Sequence, residues 1–392
     1  VYVRNLSRAL TDLGHQVVIL AGPPMPHLDE NIAVRPIPGL DLYNPSDPFR
    51  IPALSELKDP VSLVEWLGVS SMGFPEPFTF GLRLRRYLSK HHLSLDILHD
   101  NQSLSYGIWS LSRTYATVAT IHHPITVDRR IAVHAARSIR DKIKQLRWHS
   151  FLRMQQQVAR ALPHLIAVSE SARSDIAQAF GLPKDQLTTV ANGISTNRFY
   201  PLPDIERDAD RVMVTTSADT ALKGLVYLLM AVYLISRKRP VRLSIVGAPR
   251  RKGTVAKVIR ELGIGHLITF AGAVTQETYR RLYARAAIAV VPSIYEGFGL
   301  PAGEAMACGV PVISTRGGAL PEVVGDAGIL VPPRDAQALA TAIVSLLDNP
   351  QLARQLGQKG YRRVQERFTW AKAAEATVKV YRKAIDANRQ YR

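Results

Sequence analysis

The sequence predicts an α/β protein of two domains, each built on a parallel sheet, and three observations carry that reading. The 392 residues exceed what one ordinary hydrophobic core organises, and a prior of about 150 residues per domain points to two. Short apolar, β-branched runs alternate with amphipathic helical stretches along the whole chain, which is the pattern of βαβ units. A composition of 46% hydrophobic residues, with 25 Gly and 25 Pro, is that of a globular chain rather than a disordered or fibrous one.

The opening VYVRNLSRALTDLGHQVVIL reads as a helix already under way and then a strand over 17–20, so a strand and turn are expected ahead of Val1. Further strands are expected over 34–37, 97–99, 118–122, 165–169 and 188–191. A second set follows over 211–216, 242–247, 268–272, 288–292, 312–315 and 329–331. Between the sets, 199–210 holds Pro201, Pro203 and charges at Asp204, Glu206, Arg207, Asp208 and Asp210, so it reads as an exposed linker. The expected organisation is a first domain over 1–198, a second over 199–370, and a closing helix over 371–392 that can pack back on the first domain. Residues 41–77, rich in Pro, Ser and Gly, read as a long loop over the first domain.

The single cysteine, Cys308, cannot form an internal disulfide, which fits a reducing cytoplasm. No run approaches the roughly 18 apolar residues of a membrane span. A net charge of +18 favours acidic partners. An anionic membrane surface, met peripherally at its inner face, or a lipid-linked substrate ranks ahead of nucleic acid, because no zinc-finger, helix-turn-helix or aromatic-studded single-strand-binding pattern is present. The basic charge concentrates in 129–160, where nine Arg or Lys residues meet only Asp141. Ile139, Ile143, Leu146, Met154 and Val158 form an apolar stripe there, interrupted by Arg140 and Arg147. A basic helix packed on the first domain's sheet is therefore favoured over an interfacial helix.

The segment IAVVPSIYEGFGLPAGEAMACGVPVIST carries the chemistry, since it reads as strand, Gly-rich loop, short helix and strand. Gly297 and Gly299 let main-chain N–H groups approach a ligand closely, and Pro301 suits a first helical turn. The helix N-terminus then offers unpaired donors and a favourable dipole to a diphosphate. Glu296 precedes the loop and Glu304 is read into the first helical turn, so both carboxylates can face the hydroxyls of one ligand. Gly309 and Pro311 end the helix. The bland alternative is an ordinary strand-to-helix connection whose glutamates serve the helix dipole and the surface.

EGFGLPAGEAMACGVPVIS closely resembles the E-x7-E segment of retaining GT-B glycosyltransferases of family 4. Further ordered matches are Leu13-Gly14-His15, Ile121-His122-His123, IAVSES at 166–171, VANGISTNRF at 190–199, Lys223-Gly224-Leu225 and GGALPEVVGDAGILV at 317–331, so the resemblance covers nearly the full chain. It implies two Rossmann-like domains whose parallel sheets face each other across a cleft. It also implies transfer of a hexosyl group from a nucleoside diphosphate sugar to a hydroxyl acceptor with retained configuration.

By the same resemblance Glu304 would hold the ribose hydroxyls and Glu296 the transferred sugar, with the amides of Gly297, Phe298, Gly299 and Leu300 on sugar and phosphates. Lys223 would neutralise the departing diphosphate, and His122 would contact the sugar near the reacting carbon. Asn192 and Gly193 would lie at the cleft floor. Taken without the resemblance, Lys223 can equally be a solvated lysine and His122 a core or surface histidine, with His123 beside it as a rival.

The chain departs from the family in carrying Ala218 where a second diphosphate-binding arginine is common. Arg250, Arg251 or Lys252, on the loop after Gly247, would replace it, unless that loop is merely a solvated basic one. Ser195 stands where an acidic residue is common, and the family's N-terminal Gly-Gly loop does not occur in the sequence. No metal or other cofactor is expected, since the one D-x-D pattern, Asp208-Ala-Asp210, falls in the linker. A glycosidase would also use two carboxylates, but the Gly-rich helix start favours phosphate. A dehydrogenase lacks support, because GFGLPA comes late and no acidic residue ends a strand about 20 residues on. The alternative of another class is a catalytically silent sugar-nucleotide-binding or membrane-associated scaffold.

Overall fold

The protein is described here from a computed structural model, which covers residues 1–44, 46–47, 50–136, 138–216, 219–250 and 253–390. The chain forms two compact units. One comprises Val1–Val168, Ala172–Val190 and the chain from Ala373, and the other Ser169–Ser171 and Ala191–Lys372.

In the first unit the strands are β1 (Val18–Ala21), β2 (Ala33–Pro36), β3 (Leu98–Asn101), β4 (Thr117–Ile121), β5 (Leu165–Ala167) and β6 (Leu187–Thr189). The last four form one parallel sheet in the order β3-β4-β5-β6, while β1 and β2 pair with each other in a separate parallel ladder. All residues of β4 and β5 are buried, which is why they read as unbroken apolar or β-branched runs rather than alternating ones. The helices are α1 (Tyr2–Asp12), α2 (Pro60–Ser70), α3 (Glu76–His91), α4 (Tyr106–Leu111), α5 (Thr126–Ala135), α6 (Ile139–Trp148), α7 (Leu152–Ala161) and α8 (Glu170–Phe180).

The second unit holds β7 (Asp208–Thr215), β8 (Arg242–Val246), β9 (Ile268–Gly272), β10 (Ala286–Val291), β11 (Val312–Thr315) and β12 (Gly328–Val331). Its helices are α9 (Leu225–Ser236), α10 (Thr254–Leu262), α11 (Gln276–Arg285), α12 (Leu300–Ala307), α13 (Leu320–Val324), α14 (Ala336–Leu347) and α15 (Pro350–Arg367). The six strands form one parallel sheet in the order β12-β11-β10-β7-β8-β9. Val212, Val214, Leu243, Ile245, Ile288 and Val290 pack against Leu228, Leu229 and Val232 of α9 and Leu339 and Ile343 of α14 in one core. A last helix, α16 (Trp370–Gln390), sends Val380 and Ala384 into a cluster with Val118, Ile166 and Val190 of the first unit.

All twelve strands read from the sequence are present, and three local expectations are corrected. Residues 41–77 are not one long loop, because Asp59 caps α2 by accepting from the Ser62 N–H and Pro60 opens it. The stretch 129–160 is three helices rather than one. Of these α7 buries Leu152, Met154 and Val158, whereas α6 buries nothing. The linker ends early, because β7 begins at Asp208. Asp208 pairs with Arg211 and Arg285, and Asp210 with Arg242, so those charges bind across strand and helix instead of being solvated. No helix among the described residues is long and apolar enough to cross a membrane.

Candidate active site

All six strands of the second unit run parallel, so their connections to the following helices leave from one carboxyl edge. The strand order reverses between β10 and β7, since β8 and β9 continue to one side and β11 and β12 to the other. Crevices of this kind are where open α/β sheets receive ligands. Lys223 follows β7 and Glu296 follows β10, so the two residues flank the reversal from either side.

Main-chain contacts hold them there. Ile294 N–H donates to Leu222 C=O at 2.7 Å, which ties the loop after β10 to the turn that carries Lys223. Gly224 has φ +63, and a Cβ at that position would lie 2.0 Å from Pro292 C=O, so only glycine lets the two segments close. On the other side Ala319 N–H donates to Glu296 C=O at 2.9 Å. A Cβ on Gly318, at φ +61, would fall 2.2 Å from that same oxygen. Lys223 Nζ then donates to Glu296 Oε1 at 2.7 Å, and Ser293 Oγ donates to the same oxygen at 2.7 Å. With only 11% of the Glu296 side chain exposed, this is a partly desolvated, hydrogen-bonded ion pair.

Gly299, at φ +100, turns the chain into α12, whose first residue is Leu300. Phe298 is buried edge-on against Phe368, with ring centroids 5.7 Å apart, so its side chain anchors the loop and its main chain is the part left to a ligand. Glu304 is the fifth residue of α12, one turn further in than the first-turn position read from the sequence. Its Oε2 accepts from Tyr279 OH at 3.1 Å, and Tyr279 OH lies 3.0 Å from Thr215 Oγ1 and 3.4 Å from the buried Tyr283 OH. Burial pushes the Glu304 carboxyl up to about 7, against the opposing pull of the Tyr279 hydroxyl and the Arg198 charge.

Gly247 has φ +132, and a Cβ there would lie 2.2 Å from Thr216 C=O, so this glycine lets the turn after β8 lie against the end of β7. Arg250 is exposed on the loop that follows; its N–H and that of Val255 donate to the Asp219 carboxylate at 2.5 and 3.2 Å. Arg251, Lys252 and Ala218 lie outside the described residues. Asn192 is buried and Gly193 fits against Trp370, where a Cβ would meet backbone and ring at 2.5 Å. Among the described residues the buried Asn192 Oδ1 and Thr216 Oγ1 find no hydrogen-bond partner.

His122 belongs to the first unit, just beyond β4, and its surroundings distinguish it from His123. Its Nε2–H donates to Asn101 Oδ1 at 2.8 Å, its N–H donates to Gln102 Oε1 at 2.7 Å, and its ring meets Tyr2 edge-on at 4.6 Å. Burial, with a contribution from His123, brings it down to about 4, so the imidazole is neutral at pH 7. His123 is instead held by Asp128, Nε2 to Oδ2, at 2.6 Å.

The structure thus gathers Lys223, Glu296, Glu304 and the Gly297–Leu300 loop around one sheet edge of the second unit. Tyr279, Thr215, Ser293, Asp219 and Thr216 also take part there and were not singled out by the sequence. A tyrosine in a polar helix and serines or threonines ending strands have no distinguishing pattern. Asp208 and Asp210 are engaged by arginines, and among the described residues no group of three or more His, Cys, Asp or Glu side chains is placed to hold a metal ion.

Comparison with known proteins adds independent findings. A family model described as Glycosyltransferase Family 4 matches residues 1–198, and one described as Glycosyl transferases group 1 matches 210–349. The chain is 43% identical over 390 residues to the MMP alpha-(1->4)-mannosyltransferase of Mycolicibacterium hassiacum, covering 98% of this chain and 94% of that one. It is 30% identical to D-inositol 3-phosphate glycosyltransferase 2 of Catenulispora acidiphila, covering 100% and 91%. Among solved structures, sucrose-phosphate synthase from Thermosynechococcus elongatus aligns with a TM-score of 0.74 at 25% identity, covering 98% and 93%. The Anabaena protein Alr3699/HepE, solved with UDP and glucose, shares the fold with a TM-score of 0.69 at 17% identity, covering 97% and 95%.

Proposed function

The chain belongs to glycosyltransferase family 4 and has its GT-B fold, and we propose that it transfers a hexosyl group from a nucleoside diphosphate sugar to a hydroxyl, retaining configuration and using no metal ion. The observation that carries this reading is the Lys223–Glu296 pair, 2.7 Å long, held at the strand-order reversal beside a helix start. A diphosphate and a sugar together offer each partner a new mate, the anion for Lys223 and the hydroxyls for Glu296. Donor entry then exchanges one ion pair for two ligand contacts.

The electrostatic task of the reaction is the charge that grows on the departing diphosphate. The Lys223 ammonium, the loop amides and the N-terminus of α12 are arranged to stabilise it without reorganising. Glu304, one turn into α12, takes the ribose hydroxyls. Its hydrogen bond from Tyr279 leaves acceptor capacity on the carboxylate for two such donors. His122, neutral and fixed by Asn101, takes the transferred sugar. Mannose is the hexose favoured, because the relative sharing 43% of residues over 98% of the chain is a mannosyltransferase by name.

Thermal shift against a panel of UDP-, GDP- and ADP-sugars tests the donor, followed by transfer to sugar acceptors with the new anomeric signal read by NMR. Stabilisation by one nucleotide sugar and a product with the donor's configuration are expected. An inverted product, or dependence on an added divalent ion, would overturn those parts of the proposal.

A further inference from the structure

Two helices of the first unit leave apolar side chains open to solvent. In α2 the buried residues are Val61, Ser62 and Glu65, the last in a buried ion pair with Arg83, while Leu63, Val64 and Leu67 stand 40%, 47% and 52% exposed. α6 buries none of its ten residues, and Ile139, Ile143 and Leu146, spaced i, i+4 and i+7, are 76%, 50% and 51% exposed. A surface helix of a globular protein ordinarily turns such a stripe to the core. The two helices are joined at their ends, where Arg147 Nε–H donates to Ser71 C=O at 2.6 Å and the rings of Phe74 and Trp148 lie 5.0 Å apart. Leu54, at 86% exposure, precedes α2 on the same unit.

Charge selects the occupant. α6 carries Arg140, Lys142, Lys144 and Arg147 against the single Asp141. On an ideal helix Lys142 and Arg147 fall on either side of the apolar stripe. A second copy of the chain seated on this face by two-fold symmetry would oppose these cations to their own duplicates, in a protein of net charge +18. An anionic bilayer accepts both features, with apolar side chains at the acyl boundary and ammonium and guanidinium groups among the headgroups.

We propose that α6, together with the outward face of α2, docks the first unit on an anionic lipid surface. The proposal does not rest on the donor assignment. The α6 stripe shows in the sequence, but periodicity alone expects such a stripe to point inward, which is why 129–160 read as a helix packed on the sheet.

Flotation of the full chain with phosphatidylglycerol vesicles and with phosphatidylcholine vesicles tests it. Binding to phosphatidylglycerol at low salt, weakened by added salt and absent on phosphatidylcholine, is expected. I143S/L146S should weaken it about tenfold or more, and L63S/L67S should also reduce it, since all four side chains are exposed and their loss removes apolar area from the contact. K142E/K144E should weaken it by at least about tenfold. Unchanged melting temperatures would show that the variants remain folded. No binding to phosphatidylglycerol, equal binding to both lipids, or folded variants that bind like the parent would overturn the proposal. So would a dimer in sedimentation equilibrium that I143S/L146S converts to monomer without any vesicle binding, which would assign the face to self-association.

Discussion

Glu304→Gln separates the donor role of this carboxylate from any structural one, because the two make opposite demands on it. Burial holds the carboxyl at about 7 against an ordinary 4.5. At 1.36 kcal/mol per pH unit that gap is about 3 kcal/mol, and partial solvent screening reduces it to about 1–2 kcal/mol. The raised value means that between pH 4.5 and 7 the unfolded chain has released this proton while the folded chain keeps it. Stability therefore falls as pH rises through that window and stays lowered above it, and below 4.5 the penalty is absent. Glutamine has no proton to lose and can still accept from Tyr279.

The variant should therefore melt higher than the parent at pH 8, by about 2–8 °C for the transition of a unit of this size, and match it at pH 4.5. In calorimetry at pH 8 it should nevertheless bind the nucleotide sugar more weakly. Higher stability with lower affinity is the mark of a group kept at a cost for its ligand. A variant stabilised equally at both pH values, or destabilised at pH 8, would refute the reasoning.

Three further outcomes are expected. Lys223→Ala should lower turnover by about a hundredfold, as loss of a charge-stabilising donor does, with nucleoside diphosphate affinity also reduced in calorimetry; unaltered kinetics would leave Lys223 as a surface cation. Gly224→Ala should destabilise the second unit by about 2 kcal/mol or more, because a Cβ cannot occupy the 2.0 Å gap to Pro292 C=O at this positive φ, and chemical denaturation reads that loss. Tyr279→Phe removes a hydrogen bond to the carboxylate form of Glu304, so the Glu304 titration should move above about 7, and donor affinity measured from pH 6 to 9 should shift its midpoint upward.

The sheets were legible because parallel strands buried on both faces leave unbroken apolar or β-branched runs, as Val118-Ala119-Thr120-Ile121 and Ile288-Ala289-Val290-Val291 do. The loop after β10 was legible because Gly299 answers a backbone demand, φ +100, that residues with a side chain rarely meet. What escaped has physical reasons. Helix α2 leaves Leu63, Val64 and Leu67 exposed and buries Ser62 and Glu65 beside Val61, so its pattern resembles no buried stripe. Asp208 and Asp210 looked like linker charges because Arg285 and Arg242, which join the nearby Arg211 in pairing with them, lie far along the chain. Tyr279 meets Glu304 from a neighbouring helix, 25 residues away, and side-chain meetings of that kind leave no periodic trace.

The central claim, that the loop after β10 receives the sugar of a nucleotide-linked donor, is tested most directly by titrating the donor picked out by thermal shift into the parent and into Glu296→Ala. The account predicts that the parent binds it and that the variant loses about tenfold or more, the worth of a hydrogen bond to a charged group. Equal affinity in a folded variant would contradict it.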